Sequence, residues 1–281
     1  MLDRSVAIVG YGAVGKCLHQ LFPRAVVYDQ PLGIGERTQV NACRFAFVAV
    51  PTNARADGSC DTSIVDEVVG WLETDVIVLR STVAVGTTDR LRQATGKRIV
   101  FQPEYGPGET PDHPFGNPRR IGWVVLGGAR RDTNAVADLF KTTFNAELVI
   151  QQTGARTAEL VKYMENCYLA LKVTFCNEFY ELAQTFGVDY NELRELWLLD
   201  SRIGRSHTFV LPDARGFDGR CLPKDVNAMI RSAQASGYSP QMLIAMVEAN
   251  ARFRGEAAAL APAAAERKNG NGHKRSVLAA R

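Results

Sequence analysis

The stretch VAIVGYGAVG, residues 6–15, restricts the fold more than any other part of the chain. A short β-branched run reads as a buried strand and passes without a spacer into G-x-G-x-x-G. The amphipathic KCLHQLF follows and predicts a helix. In that setting the three glycines have separate duties. Gly10 allows the tight turn, Gly12 lets backbone approach a pyrophosphate, and Gly15 lets helix and strand pack closely. Tyr11, Ala13 and Val14 complete the turn, where free N–H groups at a helix N-terminus suit phosphate oxygens. Asp29 closes the next strand pattern, AVVYD, 19 residues after Gly10. A carboxylate there accepts hydrogen bonds from a ribose 2′-hydroxyl and repels a 2′-phosphate, so the expected cofactor is NAD.

The pattern continues through FAFVAVP (45–51), DVIVLRST (75–82) and RIVFQPE (98–104), each a further strand. GWVVLGG (122–128) predicts a sixth strand and AELVIQ a closing one, with helical patterns IVDEVVGWL, TTDRLRQAT and DTNAVADLFKTTF between strands. Strands alternating with helices predict an α/β fold, a Rossmann-type doubly wound parallel sheet over residues 1–153. The texture then changes. TAELVKYMENCYLALKVTFCNEFYELAQTFG (157–187) has no internal Gly or Pro and predicts one long helix, with Thr157 as N-cap and Gly187 as stop. Shorter helical patterns follow at NELRELWLL, KDVNAMIRSAQASG and QMLIAMVEANARF, so residues 154–255 form a helical unit. Residues 256–281 are Ala-rich and then polar, the composition of a disordered tail.

The net charge of +3 is concentrated at one end: residues 264–281 carry +4, and the rest of the chain carries −1. A nearly neutral body provides no electrostatic footprint for a nucleic-acid partner. No apolar run reaches the length of a membrane span, and the N-terminus lacks the pattern of a secretory signal. The six cysteines form no CxxC pair and no zinc-ligand spacing, which predicts free thiols, no metal, and a reducing, cytoplasmic setting.

Two further features carry chemistry. Lys162 and Asn166 are four apart on the long helix and share a face, where a cation and an amide suit a substrate hydroxyl and its developing oxyanion. The alternative is a solvated polar pair. The second feature is GFDGRCLPKD (216–225). Pro223 fits the first position of a helix, which places Cys221 at or just before its N-terminus. The dipole and exposed N–H groups there favour a thiolate, and Lys224 adds to the effect. The glycines beginning at Gly216 leave room for a ligand.

Taken in order, VAIVGYGAVG, VPTNARADGSCDTS, STVAVGTTD, QPE, TAELVKYMENCYLALKVTFCNE, SRIG and GFDGRCLPKD resemble the nucleotide-sugar 6-dehydrogenases, the UDP-glucose and GDP-mannose dehydrogenase family. The likeness spans roughly residues 5–250. It implies a four-electron oxidation in which a sugar primary alcohol becomes a carboxylate, with NAD as oxidant and Cys221 holding the thiohemiacetal and thioester. It further implies that Lys162 and Asn166 hold the reacting oxygen, that Asp225 and Thr82 manage protons with a water, and that Glu104 lies beside thioester and substrate. Arg202 and Gly216 match substrate positions, the arginine reaching a site across a dimer interface. Asp29, Pro51, Thr52, Ser81, Thr82 and Lys224 match cofactor positions. Apolar residues on more than one face of the long helix, among them Leu160, Tyr168, Leu169, Val173, Phe175 and Phe179, predict a homodimer.

Three departures qualify the likeness. The family continues into a second α/β domain that holds much of the nucleotide, and no second strand–helix series follows Arg254. The expectation is therefore a short form completed by a dimer mate, a separate chain or a smaller substrate. The loop after QPE reads YGPGE, with Glu109 offset from the family's second glutamate. Asp218 stands where the family has glycine, and a carboxylate near Cys221 opposes a thiolate unless it points away. Two alternative readings stay open: a two-electron β-hydroxyacid-type dehydrogenase, which shares the Lys-x-x-x-Asn helix, and an inactive NAD-binding remnant.

Overall fold

The computed structural model describes residues 5–105, 117–144 and 147–256. Seven strands form one sheet in the order β2-β1-β3-β4-β5-β6-β7. They are β1 Val6–Val9, β2 Val26–Tyr28, β3 Phe45–Val48, β4 Val76–Leu79, β5 Ile99–Phe101, β6 Trp123–Gly127 and β7 Val149–Thr153. The helices between strands are α1 Ala13–Leu21, α2 Arg37–Asn41, α3 Ser63–Trp71, α4 Thr87–Thr95 and α5 Arg130–Thr143. Helix α2 has no counterpart in the sequence reading, because five residues are too few to show a helical period.

Side chains of the central strands alternate between two cores. Ala7, Val9, Ala46, Val48, Ile77 and Leu79 pack with α3 and α4 residues such as Val69 and Leu91. Val6, Ile8, Phe45, Phe47, Val76 and Val78 pack on the opposite face with Leu18 of α1 and Phe140 of α5. The period-2 strand geometry divides each continuous apolar run between the two faces, so these strands read as unbroken hydrophobic stretches. The sheet is not wholly parallel: β5 and β6 pair antiparallel through Phe101 and Gly127, while β6 and β7 are parallel to each other. No α-helix crosses back between β5 and β6 among the described residues, and strands without a crossover pair antiparallel.

Beyond the sheet lie α6 Ala155–Phe186, α7 Tyr190–Trp197, α8 Leu222–Ala235 and α9 Gln241–Arg254. Helix α6 starts before the expected Thr157. Its N-cap is Gly154, one residue after β7, so Thr157 lies in the first turn; Gly187 is the C-cap, as expected. Pro223 is the second helical residue of α8, since Leu222 is the first, and an N–H missing at that position also leaves no helical bond unmade. Cys167, Ala170, Phe217, Val226, Ile230 and Met246 join α6, α8 and α9 in a third core.

Glu159 ties α6 to the sheet unit. Its side chain is fully buried and accepts hydrogen bonds from the backbone N–H of Gly86 (2.6 Å) and Thr88 (2.9 Å) and from the Thr88 hydroxyl (2.7 Å). The carboxylate satisfies free donors at the N-terminus of α4, where its charge also suits the helix dipole. None of the described helices is long and apolar enough to cross a membrane. Of the tail reading over 256–281, Glu256 is described, its N–H donating to the Ala251 carbonyl at 2.9 Å, and residues 257–281 lie outside the described residues.

Candidate active site

The strand order reverses between β1 and β3, which opens a crevice at the carboxyl ends of the strands. The glycine turn forms one wall. Gly10 has φ +94°, and a Cβ there would come within 2.5 Å of the Ala49 carbonyl oxygen. A Cβ on Gly15 would approach the Gly10 carbonyl oxygen to 2.0 Å, so only glycine lets α1 pack this close to the turn. Gly12 faces open space within 4 Å and is the N-cap of α1, with no side-chain cap bond. The turn thus leaves the N-terminal N–H groups of α1 unblocked where a pyrophosphate would approach.

Asp29 completes the cradle. One carboxylate oxygen accepts from Tyr11 N–H (2.7 Å) and the other from Leu32 N–H (3.0 Å). These bonds hold the carboxylate beside the turn, with lone pairs left over for ribose hydroxyls. Residues Gly10–Gly15 and Asp29 therefore fit a dinucleotide with a free 2′-hydroxyl. Asp29→Ala is expected to weaken NAD binding by roughly ten- to a hundredfold, the scale of a lost charged hydrogen bond. Isothermal titration with NAD and NADP checks this, and the preference for NAD over NADP should narrow together with the affinity.

Four other expected cofactor positions lie on the segments after β3 and β4, Pro51 and Thr52 on the first and Ser81 and Thr82 on the second. The Ser81 hydroxyl is buried and donates to the Val50 carbonyl (2.7 Å), joining the end of β4 to the loop after β3. Thr52 is buried and Pro51 exposed on that loop. The Thr82 carbonyl accepts from the Cys60 thiol at 3.5 Å. Cys60 packs with Tyr163 of α6 and Ala228 of α8, which brings this loop against both helices.

The polar centre lies between α6 and α8. Lys162 Nζ donates to Asn166 Oδ1 (3.1 Å), and Asn166 Nδ2 donates to Asp225 Oδ2 (2.5 Å). Lys224 Nζ donates to Asp225 Oδ1 (2.5 Å). Asp225 is 1 % exposed and Lys162 9 %. This chain fixes which end of the Asn166 amide faces each neighbour. Burial pushes the Lys162 ammonium below the usual lysine range, against the pull of Asp225, Glu165 and Cys221, while Lys224 adds to the depression. A lysine so placed surrenders its proton more readily than an exposed one.

Cys221 is the N-cap of α8, one turn before Asp225, whose N–H donates to the Cys221 carbonyl at 2.9 Å. It is exposed, whereas the other five cysteines are buried, and none of the six forms a disulfide. Burial raises the Cys17, Cys43, Cys60 and Cys176 thiols and pushes Cys167 up to about 12. Those five are held as neutral thiols inside the protein; Cys221 alone is open to a ligand.

The loop leading to Cys221 is clamped by two asparagines. Asn177 Oδ1 of α6 accepts from Gly216 N–H (3.1 Å) and Arg215 Nε (2.6 Å). Asn250 of α9 accepts from Phe217 N–H (2.6 Å) and donates to its carbonyl (3.0 Å). Gly216 has φ +76°, and a Cβ there would strike Asn250 Oδ1 at 2.5 Å. The backbone of Gly216 is therefore committed to this clamp. Asp218 pairs with Arg254 of α9 at 2.9 Å, which gives its carboxylate a cation of its own and relieves the expected repulsion of a Cys221 thiolate.

Glu104, at the end of the QPE segment, is buried and forms an ion pair with the buried Arg80. Arg202 lies apart, 86 % exposed at its side chain, and pairs with Asp200 at 2.5 Å. The described chain joins it by hydrogen bond to none of Lys162, Asn166, Cys221 or Asp225. Glu109 falls outside the described residues. Sequence reasoning missed Arg80, Glu159, Asn177 and Asn250. Nothing in their local patterns marks them, because the partner that gives each its place in the site lies more than twenty residues away in the chain.

A dinucleotide crevice beside a Lys–Asn–Asp chain and an exposed thiol defines the class: a Rossmann-type α/β protein with an oxidoreductase-like site. Comparison with known proteins narrows it. Residues 34–144 match the UDP-glucose/GDP-mannose dehydrogenase family, NAD binding domain, and residues 156–252 match the central domain of the same family. The chain belongs to the UDP-glucose/GDP-mannose dehydrogenase family, and NAD is the cofactor of its nucleotide-binding half. It is 33 % identical over 226 residues to UDP-glucose 6-dehydrogenase AglM of Haloferax volcanii, covering 73 % of this chain and 51 % of that protein. It is 34 % identical over 224 residues to a UDP-glucose 6-dehydrogenase of Pseudomonas aeruginosa, covering 73 % and 48 %. A UDP-glucose dehydrogenase structure from Pyrobaculum islandicum superposes with a TM-score of 0.74 at 26 % identity, over 89 % of this chain and 68 % of that one. The chain spans about half the length of the curated relatives it matches. The glycine turn at residues 10–15 precedes the matched NAD-domain span, so its assignment rests on the geometry above.

Proposed function

We propose that this protein oxidises the primary alcohol of a nucleotide sugar to a carboxylate in two successive NAD-dependent steps. The observation that carries the reading is the hydrogen-bonded chain Lys162–Asn166–Asp225 ending one helical turn from the exposed Cys221. Residues 10–15 and Asp29 would hold NAD, which would serve as hydride acceptor, one NAD molecule for each of the two steps. Lys162 and Asn166 hold the alcohol oxygen and stabilise the charge it gathers as its proton departs. The Cys221 thiolate adds to the aldehyde carbon, and the resulting oxyanion meets the same Lys162–Asn166 pair. After the second oxidation the carbon is a thioester on Cys221. Water then adds, the C–S bond breaks, and the thiolate returns as the carboxylate leaves. Asp225, with Thr82, orients that water and takes its proton, while Glu104, fixed by Arg80, lies beside the thioester. Arg202 and the Gly216 loop contact the substrate, Arg202 from the partner of a homodimer.

The dimer reading is supported by the surface of α6. Leu160, Met164, Tyr168, Phe175, Phe179 and Phe186 are exposed on it. The first three border an apolar groove of about 680 Å³ completed by Met242 and Leu243 of α9. Leu169 and Val173 do not share this exposure. Both are partly buried, and Val173 packs into the core formed with α8 and α9.

The test is incubation of the protein with NAD and a panel of nucleotide sugars, read by mass spectrometry and NADH absorbance. A gain of about 14 Da, the CH₂OH to COOH change of the covalent scheme, with two NADH per sugar is expected. One NADH per sugar points instead to two-electron chemistry. Tight NAD binding with no turnover on the whole panel sinks the enzymatic reading.

A further inference from the structure

The Lys162 ammonium rests over an aromatic ring that no motif marks. Tyr105 follows Glu104 on the segment leaving β5 and is 7 % exposed. Lys162 Nζ lies 5.2 Å from its ring centroid, within the range of a cation–π contact. The Trp123 ring packs against Tyr105 with centroids 4.5 Å apart. The Tyr105 hydroxyl is buried and makes no hydrogen bond among the described residues. The polar end of this side chain therefore does not anchor it, and what it presents to the site is its face.

That face meets a specific need. Asp225 and Lys224 of α8, Cys221 at its N-terminus and Glu165 of α6 are the charged and titratable groups acting on Lys162, and burial works against its charge. Arg80 and Glu165 act on Tyr105 in turn. Another carboxylate against Lys162 would favour the ammonium but would also claim its N–H donors. An aromatic face attracts the cation through its quadrupole and leaves the donors for Asn166 and a reacting oxygen.

We propose that Tyr105 is a positioning residue of this site, whose ring face holds the Lys162 ammonium in place and keeps it protonated. The proposal rests on the dehydrogenase reading for its consequence in turnover, but the effect on Lys162 itself is independent of turnover. Two readouts separate them: the pH profile of kcat/KM for NADH formation, and the pH dependence of Lys162 acylation by acetic anhydride, followed by peptide mass spectrometry without substrate. Tyr105→Leu removes the ring and Tyr105→Phe keeps it. Progressive ring fluorination of a phenylalanine at this position weakens the quadrupole at nearly constant shape, so it tests the contact even where Tyr105→Leu does not fold.

Tyr105→Leu is expected to move the alkaline limb and the acylation midpoint down by about one pH unit, the scale of a desolvated cation–π contact. Tyr105→Phe should leave both in place, and fluorination should lower them stepwise. An acylation midpoint indifferent to fluorination overturns the proposal, as does a Tyr105→Phe shift equal to that of Tyr105→Leu. A wild-type protein that makes no NADH refutes the dehydrogenase reading while the acylation midpoint still reports on the ring.

Discussion

Cys221→Ser is expected to abolish carboxylate formation while sparing NAD binding. The hydroxyl of serine sits at the same N-cap of α8 but is scarcely ionised near neutral pH, so it cannot match a thiolate as nucleophile towards the aldehyde. Acid production should fall by at least about a thousandfold, in line with the loss of a covalent catalyst. NADH per sugar should drop from two to one or fewer, with aldehyde trapped by an added hydroxylamine. The fold should hold, because Cys221 is exposed and its side chain makes no capping bond. The same substitution separates the two chemistries: a protein that stops at two electrons would not depend on this sulfur. Acid formation that survives Cys221→Ser would remove the covalent scheme.

Lys162→Met is expected to cost about a hundred- to a thousandfold in kcat, the range for removal of one preorganised oxyanion donor. Methionine retains the apolar stem and lacks the charge. NAD affinity should stay close to wild type, since the glycine turn and Asp29 are untouched, and Asp225 keeps Lys224 as its partner. The wild-type pH profile provides the second check. Lys162 works as a cation, present below its folded-state pKa and lost as pH rises through it. Burial lowers that value from the ordinary 10.5, so the alkaline loss of activity should begin below the ordinary lysine range and vanish from the residual rate of Lys162→Met. The stability sign is opposite. Between the folded and unfolded values the unfolded chain binds more protons at this site, so the contribution of Lys162 to stability rises with pH through that window.

Much of this site was legible in local patterns because its parts are local. A strand that runs into G-x-G-x-x-G must turn tightly, and Gly10 does so at φ +94°. Lys162 and Asn166 share a helix face by spacing alone, and the structure joins them at 3.1 Å. Other parts were not legible. Thr157 resembles an N-cap, yet α6 is capped at Gly154 and begins at Ala155 because β7 delivers the chain straight into it. The parallel pattern of strands gave no sign that β6 reverses, since the direction of a strand depends on the path of the connection before it. Asp218 looked like a liability beside Cys221 until α9 brought Arg254 to it.

From its sequence alone this chain determined a strand–glycine–helix unit, an alternating α/β series, a long helix with Lys162 and Asn166 on one face, and a thiol at a helix start. Each is set by side-chain periodicity or backbone freedom within a few residues. Only the tertiary structure decided that Asp225 closes a chain with Asn166, that Glu159 ties α6 to α4, that Asn177 and Asn250 clamp the thiol loop, and that Tyr105 lies under Lys162. Buried polar groups must find partners wherever the packed helices and sheet bring them, and that meeting is set by three-dimensional packing rather than by spacing along the chain.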